Sequence, residues 1–513
     1  MQLGPDLRSR VKFEFVRYTR GDGLDVGHGA NKSFPHAVAV RLPTDEECEA
    51  RKIREIVTES LALLPEVDDG KCDFVIAADV ARLLGEHTLA AALDNYLRVV
   101  RDGGHVCLYE PELEPRAFIA AVDEVAKVRG IDVLRFEAWP HGGAFIVLQR
   151  TGAEPMLARS FERKPAPEKR ACVVRHGGIG DQLQAAFLLP ALKRAGFHVT
   201  VLTTPQGREL IEHDPNVDEW FMVDRGQVPP SDLPWFWEVI SQHYERFVNL
   251  NESVEGTFLA IPGRVQHQWP HALRHQMLNG NYAEHAAAIA QVPFVAEGQF
   301  YPTPQEVERA ERFLSEINSD MNREAIIGHI GEPVFVILWA LAGSSPHKAT
   351  PHQDWIVNEV LNRLKRAVVI FVGDEVCKIL EAGWEKEPRV YCRSGEMKIR
   401  DVLTLAQRVN CVVGPETGVL NAVCYEPKVH KVLMLSHSSR ENLSKHWVNT
   451  ASFAGESPCY PCHQLHYDAR YCPRDEESHA ALCQQGVPPQ RLYAAIDAEY
   501  TAWVRIRMLR SAA

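Results

Sequence analysis

Short apolar runs that end in a glycine-bearing turn, each followed by apolar residues spaced three and four apart, recur along the whole chain. A run of this kind is a buried strand and the spaced residues are one face of a helix, so the pattern predicts parallel α/β sheets. The first series begins with Gly23-Leu24-Asp25-Val26 entering the turn Gly27-His28-Gly29. It continues through AVAV at 37–40, CDFVIAA at 72–78, a helix through Leu97 and RDGGHVCLYEPE at 101–112, and it closes on two strand-like runs, IDVLRFEAW and AFIVLQR. A second series starts with the strand Ala171-Cys172-Val173-Val174-Arg175 and the turn His176-Gly177-Gly178-Ile179-Gly180-Asp181. Leu183, Phe187, Leu188 and Leu192 then mark one helix face that stops at Gly196. The strand VFVILWA at 334–340, the strand VVIFVGD at 368–374 and the turn Gly414-Pro415-Glu416-Thr417-Gly418 repeat the arrangement. A helical tail runs from Pro488 to Met508, with Leu492, Ala495, Tyr500 and Val504 facing the body.

Seams follow from where the pattern lapses. Thr151 to Arg170 is charged, proline-bearing and aperiodic, which predicts a linker, and a softer break lies near Ser319 to Pro333. The expected organisation is therefore a unit at 1–150, a linker at 151–170, two α/β halves at 171–325 and 326–455, a cysteine-rich segment at 456–487 and a helix at 488–513.

Composition narrows the class. At 513 residues, 45% hydrophobic and 24% charged, the chain is long enough for about three packing units and is neither disordered, collagen-like nor a coiled coil. A net charge of −12 excludes a uniformly basic surface for nucleic acid or anionic lipid. The N-terminus lacks the apolar core of a signal peptide and Val334 to Gly343 is too short to span a bilayer, so a cytoplasmic protein without a membrane span is expected. In that compartment twelve cysteines are not a disulfide scaffold.

Four of those cysteines are grouped. Cys459 and Cys462 form a CxxC pair, with Cys472 after nine intervening residues and Cys483 after ten more. Four thiolates on a segment poor in apolar residues suit a closed, tetrahedral structural zinc or iron, with His463, His466 and His479 as alternates. Two disulfides or buried free thiols are the other readings.

The order of elements in residues 15–150 resembles class I S-adenosylmethionine-dependent methyltransferases, with Asp25, Gly27 and Gly29 at the nucleoside-binding turn. Where that family places an acid for the ribose hydroxyls, this chain has Arg41, with Asp45 displaced into the next loop. The resemblance implies S-adenosylmethionine binding and a Rossmann-like domain. The same fold serves equally as a scaffold without catalysis.

The segment VVRHGGIGDQLQAAFLLPALKRAGFHVTVLTTP, with DPNVDEWFMVD at 214–224 and VVGPETGVLNAV at 412–423, resembles the heptosyltransferase-like glycosyltransferases of family 9 over about residues 171–450. This implies the two-lobed GT-B architecture of two Rossmann-like lobes, acceptor lobe first and donor lobe second. It also implies an inverting transfer of a sugar from a nucleotide-sugar, ADP-heptose being favoured. In that resemblance Asp181, beside Gly180, is the base for the acceptor hydroxyl, with His176 as rival. Ser344, Ser345 and Lys348 form the diphosphate-contacting loop after VFVILWA. Thr417 and Gly418 offer a second set of donors, Glu416 a carboxylate for sugar hydroxyls and Asp374 a nucleoside contact. The family has Asp where this chain has Glu416 and His where it has Asn421. The cysteine segment resembles the finger appended to the branch of family 9 that glycosylates autotransporter proteins. The acceptor (protein, glycan or modified base) and the oligomeric state stay open. The alternative is a methyltransferase using the GT-B part as a binding platform.

Overall fold

A computed structural model describes residues 7–27, 32–43, 54–138, 143–152, 168–323, 333–343, 345–466 and 472–512. Most of the expected linker, together with Gly29 and Ser344, lies outside the described residues. The chain forms two compact units, one of residues 1–170 with 221–245, the other of residues 171–220 with 246–513.

The first unit holds a seven-stranded sheet made of β1 (Gly23–Val26), β2 (Val38–Arg41), β3 (Glu55–Val57), β4 (Cys72–Ala78), β5 (Val100–Glu110), β6 (Ile131–Ala138) and β7 (Ala144–Arg150). Their spatial order is β3-β2-β1-β4-β5-β7-β6. β1 to β5 run parallel, but β7 is antiparallel to both β5 and β6. The purely parallel expectation fails there because residues 139–143 are too short a connection for a crossover helix, and two strands so joined must form an antiparallel pair. Residues 221–245, which the sequence pattern places in the acceptor lobe, belong to this unit. Their helix Leu233–Ser241 packs on the helix Leu7–Phe15 through Phe13 and Phe236, whose rings lie 6.0 Å apart, and through Lys12 and Asp232 at 2.9 Å.

The second unit carries two further sheets. β8 (Arg170–Val174), β9 (His198–Thr203), β10 (Glu219–Met222) and β11 (Arg246–Asn249) lie in the order β10-β9-β8-β11. β12 (Phe335–Ala340), β13 (Ala367–Val372), β14 (Val390–Cys392), β15 (Cys411–Pro415), β16 (His430–Leu435) and β17 (Thr450–Ala454) form a parallel sheet in the order β14-β13-β12-β15-β16-β17. One continuous apolar core joins the two sheets, with Val173 and Val201 from the first and Leu338 and Leu433 from the second. The helix expected after Asp181 is split into Ile179–Ala186 and Leu189–Arg194, because the ring of Pro190 cannot be accommodated against the carbonyl of Ala186. On the other face of the second sheet, Leu492 and Ile496 of the tail helix Pro489–Ala512 are fully buried, and Tyr500 and Trp503 pack edge-on to Phe335.

A buried ion pair ties the helix Pro304–Arg323 to the helix Ile399–Ala406. The Arg400 guanidinium meets Glu306 at 2.6 and 2.8 Å and spends its remaining donors on the carbonyls of Leu210 and Tyr301. Burial raises the Glu306 pKa, but hydrogen bonds from Arg400 and Thr303 outweigh it and bring the carboxyl down to about 2. A carboxyl depressed in the folded state contributes stability above its unfolded value of 4.5 and loses that contribution as pH falls through about 2. Glu306→Gln should therefore cost on the order of 3 kcal/mol at neutral pH, taking about 1.4 kcal/mol per pKa unit. Urea titrations of both proteins should show the gap narrowing below pH 4.5; a constant gap down to pH 2 would refute the linkage.

Candidate functional site

Two glycine turns of the second unit meet at the carboxyl ends of β8 and β15. Gly178 precedes the helix Ile179–Ala186, and Thr417 precedes the short helix Gly418–Asn421. A Cβ on Gly418 would lie 2.3 Å from Ile179 Cγ2 and 3.2 Å from the Gly180 nitrogen, and one on Gly180 would lie 2.9 Å from Asn421 Nδ2. Only residues without side chains allow this approach. Asn421 occupies the junction, donating to the Thr417 carbonyl at 2.9 Å and accepting from Gln184 at 3.0 Å. Its amide thus joins the two halves of the unit.

Asp181 sits in the first turn of its helix, where its Oδ2 accepts the Gly178 N–H at 3.0 Å. Its Oδ1 stands 2.8 Å from Nη2 of Arg175, and its side chain remains 36% exposed, so part of the carboxylate faces open space. Sequence reasoning passed over Arg175, although the residue ends the strand directly before the turn. Its guanidinium also grips Glu255 at 2.7 and 3.2 Å. Glu255 carries no local signal, being 80 residues away. His176, the rival base, is pushed down to about 4 by burial and by Arg175, which makes it neutral and weakly basic.

The loop after β12 approaches the second turn. A Cβ on Gly343 would meet Lys348 Cδ at 2.6 Å, the Glu416 carbonyl at 3.3 Å and Thr417 Cγ2 at 3.4 Å, so these residues are brought together. Lys348 is buried and donates to the Glu416 carbonyl at 2.9 Å. Burial lowers its pKa, and Glu416 and Asp181 both oppose that shift, which puts the lysine within the field of each carboxylate. The buried Thr417 hydroxyl has no hydrogen-bond partner among the described residues. Ser345 is buried against His347 Nδ1 at 2.8 Å.

In Glu416, Oε1 accepts the N–H groups of Ser436 and Ser438 at 2.8 and 3.2 Å, and Oε2 stands 3.1 Å from His437 Nε2. Burial raises its pKa, opposed by Lys348 and by the two amides. One oxygen of the carboxylate thus braces the loop after β16, while Oε2 has no hydrogen-bond partner among the described residues. Asp374 is exposed and caps the turn Glu375–Leu380 by accepting the Cys377 N–H at 3.2 Å.

Cys459, Cys462, Cys472 and Cys483 line one small cavity together with His347 and His466. His466 Nε2 lies 3.6 Å from Cys462 Sγ, whereas His463 turns away to His275 at 3.0 Å. Burial, then the neighbouring thiols, raise Cys472 to about 11, and burial is the main cause of the rise of Cys462 to about 12. The donor chemistry fits a soft ion, yet among the described residues no group of three or more His, Cys, Asp or Glu stands close enough to form a cage around a metal.

In the first unit the strand ends are tied to protein groups. Buried Asp25 accepts the Ser33 N–H. Gly27 has φ +88° and leaves no space for a Cβ, which would lie 2.9 Å from Val80 Cγ1. Arg41, at the position where the resemblance calls for a ribose-holding acid, is paired with Glu55 at 2.9 and 3.0 Å. Glu110 accepts from Val80 and Ala81 at 2.8 and 3.0 Å, and burial lifts its pKa to about 7.

The contact between the turns is open to a direct test. Gly418→Ala should destabilise the protein by about 1–3 kcal/mol through overpacking. Adding Ile179→Ala, which removes the clashing Cγ2, should recover part of that loss in urea denaturation; an additive loss in the double variant would place the strain elsewhere.

No protein-family model matches the chain and no curated protein matches it. Among solved structures, a glycosyl transferase family 9 protein from Veillonella parvula is 14% identical with a TM-score of 0.44, covering 66% of this chain and 100% of that one. The ADP-heptose LPS heptosyltransferase II of E. coli is 14% identical with a TM-score of 0.42, covering 65% of this chain and 99% of that one. A putative methyltransferase from Bacillus halodurans is 17% identical with a TM-score of 0.21, covering 25% of this chain and 71% of that one. The chain is thus similar to family 9 glycosyltransferases over about two thirds of its length and to methyltransferases over about a quarter.

Proposed function

We propose that the second unit is an inverting glycosyltransferase that moves a heptose-like sugar from a nucleoside-diphosphate donor, ADP-linked in the favoured case, to an acceptor hydroxyl. The observation that supports this reading is the approach of the glycine turns: Gly418 lies against Ile179 and Gly180 of the turn that carries Asp181, and Gly343 lies against Lys348 and Thr417. In this mechanism the exposed part of the Asp181 carboxylate takes the proton of the acceptor hydroxyl as its oxygen bonds to the anomeric carbon. The bond from that carbon to the diphosphate breaks, and its electron pair leaves with the phosphate. Lys348 and Thr417 meet the charge that develops there. Glu416 holds the 436–438 loop through Oε1 and keeps Oε2 for a sugar hydroxyl.

The four thiols would hold a structural zinc or iron that closes the 456–487 segment. The first unit is read as a scaffold. S-adenosylmethionine fits its described residues poorly, because Asp25 and Arg41 are already engaged by Ser33 and Glu55. No helix among the described residues is long and apolar enough to cross a membrane.

A thermal-shift panel of ADP, UDP, GDP, their sugars and S-adenosylmethionine tests both units. The ADP series should stabilise the protein, by about 2.7 kcal/mol at 100 times the dissociation constant, and S-adenosylmethionine should not. Asp181→Ala should keep the ADP shift and lose release of ADP from ADP-heptose over a pool of cell-derived acceptors, while Lys348→Met should lose the shift itself. Undiminished turnover in Asp181→Ala would sink the base assignment. Metal analysis of the purified chain should give about one zinc or iron, falling to background in Cys462→Ser; a metal-free protein would remove the structural ion.

A further inference from the structure

Asp181 does not stand alone in its turn, and the group that holds it is itself held from several sides. Arg175 is 3% exposed. Its backbone N–H donates to the Leu202 carbonyl at 3.2 Å, and its own carbonyl accepts from Gln182 at 2.8 Å and from Thr203 at 2.9 Å. Its Nη1 donates to the Leu250 carbonyl at 2.5 Å and to Glu255 at 3.2 Å, while Nη2 is shared between Glu255 at 2.7 Å and Asp181 at 2.8 Å. Gly177 completes the arrangement, since a Cβ there would lie 2.8 Å from Asp181 Oδ2 and 3.3 Å from Arg175 Nε.

One guanidinium therefore serves two carboxylates unequally. Glu255 takes it through both oxygens, and Asp181 takes a single contact through Oδ1, its Oδ2 accepting the Gly178 N–H, with the side chain 36% exposed. We propose that Arg175 and Glu255 form a positioning pair: Arg175 fixes the direction of the Asp181 carboxylate, and Glu255 draws off enough of the cation's field for Asp181 to remain a competent proton acceptor. This rests on the reading of Asp181 as base and deepens it. An arginine given wholly to Asp181 would stabilise the ionised carboxylate and weaken it as a base, and no cation at all would leave its orientation to the turn amide alone. Among the described residues, Arg175 after β8 pairs with Asp181 directly, Lys348 from the loop after β12 feels its charge, His176 in the same turn feels Arg175, and Glu255 from the helix Ser253–Thr257 shares the Arg175 guanidinium.

The opposed effects of the two partners make the pair testable without knowing the acceptor. Water-soluble carbodiimide reacts with protonated carboxyls, so its labelling of the Asp181 peptide, followed by mass spectrometry across pH, reports where that carboxyl titrates in the full-length protein. Glu255→Gln, which keeps shape and hydrogen bonding, should move the Asp181 midpoint down. Arg175→Gln should move it up, and Arg175→Lys should lie between Arg175→Gln and the parent chain. Midpoints that coincide, or that move in the same direction for Glu255→Gln and Arg175→Gln, would overturn the proposal. If Arg175→Gln does not fold, as checked by circular dichroism, the Glu255→Gln and Arg175→Lys pair decides the matter. Failure of the base reading shows separately, as full ADP release from ADP-heptose by Asp181→Asn.

Discussion

The second unit depends on the closeness of two backbones. Gly180 and Gly418 bring the starts of two helices within reach of each other, and every side chain of the candidate site is placed relative to that junction. If either turn carried a side chain, the helix Ile179–Ala186 and the helix Gly418–Asn421 would be forced apart, and Asp181 would separate from Lys348 and Thr417. The Asn421 amide adds direction to the contact, because one side chain bonds both to its own turn and to Gln184 of the facing helix. Glycine permits the approach and Asn421 selects the register.

Charge is distributed around that junction so that no buried ion is left alone. Arg175 pairs with Glu255 and Asp181, Lys348 donates to the Glu416 backbone carbonyl, and the Glu416 carboxylate accepts two amides and stands 3.1 Å from His437. His437 itself is driven well below its usual pKa by burial, then by Lys348, so it faces the carboxylate as a neutral ring. Removing one member of such a set exposes its partner's full desolvation cost, whereas the intact set contributes little net stability. The consequence is definition of geometry more than strength: the Asp181 carboxylate and the Lys348 ammonium are each held by hydrogen bonds within the unit.

The turns were legible in the sequence because their signal is local. A buried strand, a glycine turn and an acid in the first helical turn occupy a dozen consecutive residues around Asp181, and the elements at Gly343 to Lys348 and at Gly414 to Gly418 read the same way. The partners were not legible, because each comes from a distant part of the chain. Glu255 reaches Arg175 from 80 residues away and Gln184 reaches Asn421 from 237. The second role of Glu416 is hidden for a related reason: the loop after β16, some twenty residues on, supplies the Ser436 and Ser438 amides that take one of its oxygens. The break in the helix at Pro190 was local and was overlooked in favour of the apolar spacing, although a ring that excludes the carbonyl four residues back decides against one continuous helix. The assignment of 221–245 to the first unit rests on packing of Phe236 and Asp232 that no periodicity announces.

The first unit makes the same point from the other side. It has the strand, the left-handed glycine and the acid that elsewhere open a ligand site, yet Asp25, Arg41 and Glu110 are all spent on their own chain. In the second unit Asp181 and Thr417 are held but not used up, one with an edge of its carboxylate exposed and the other with an unpartnered hydroxyl. Two units built on one strand, turn and helix pattern therefore differ in whether the groups at the strand ends retain hydrogen-bonding capacity after folding.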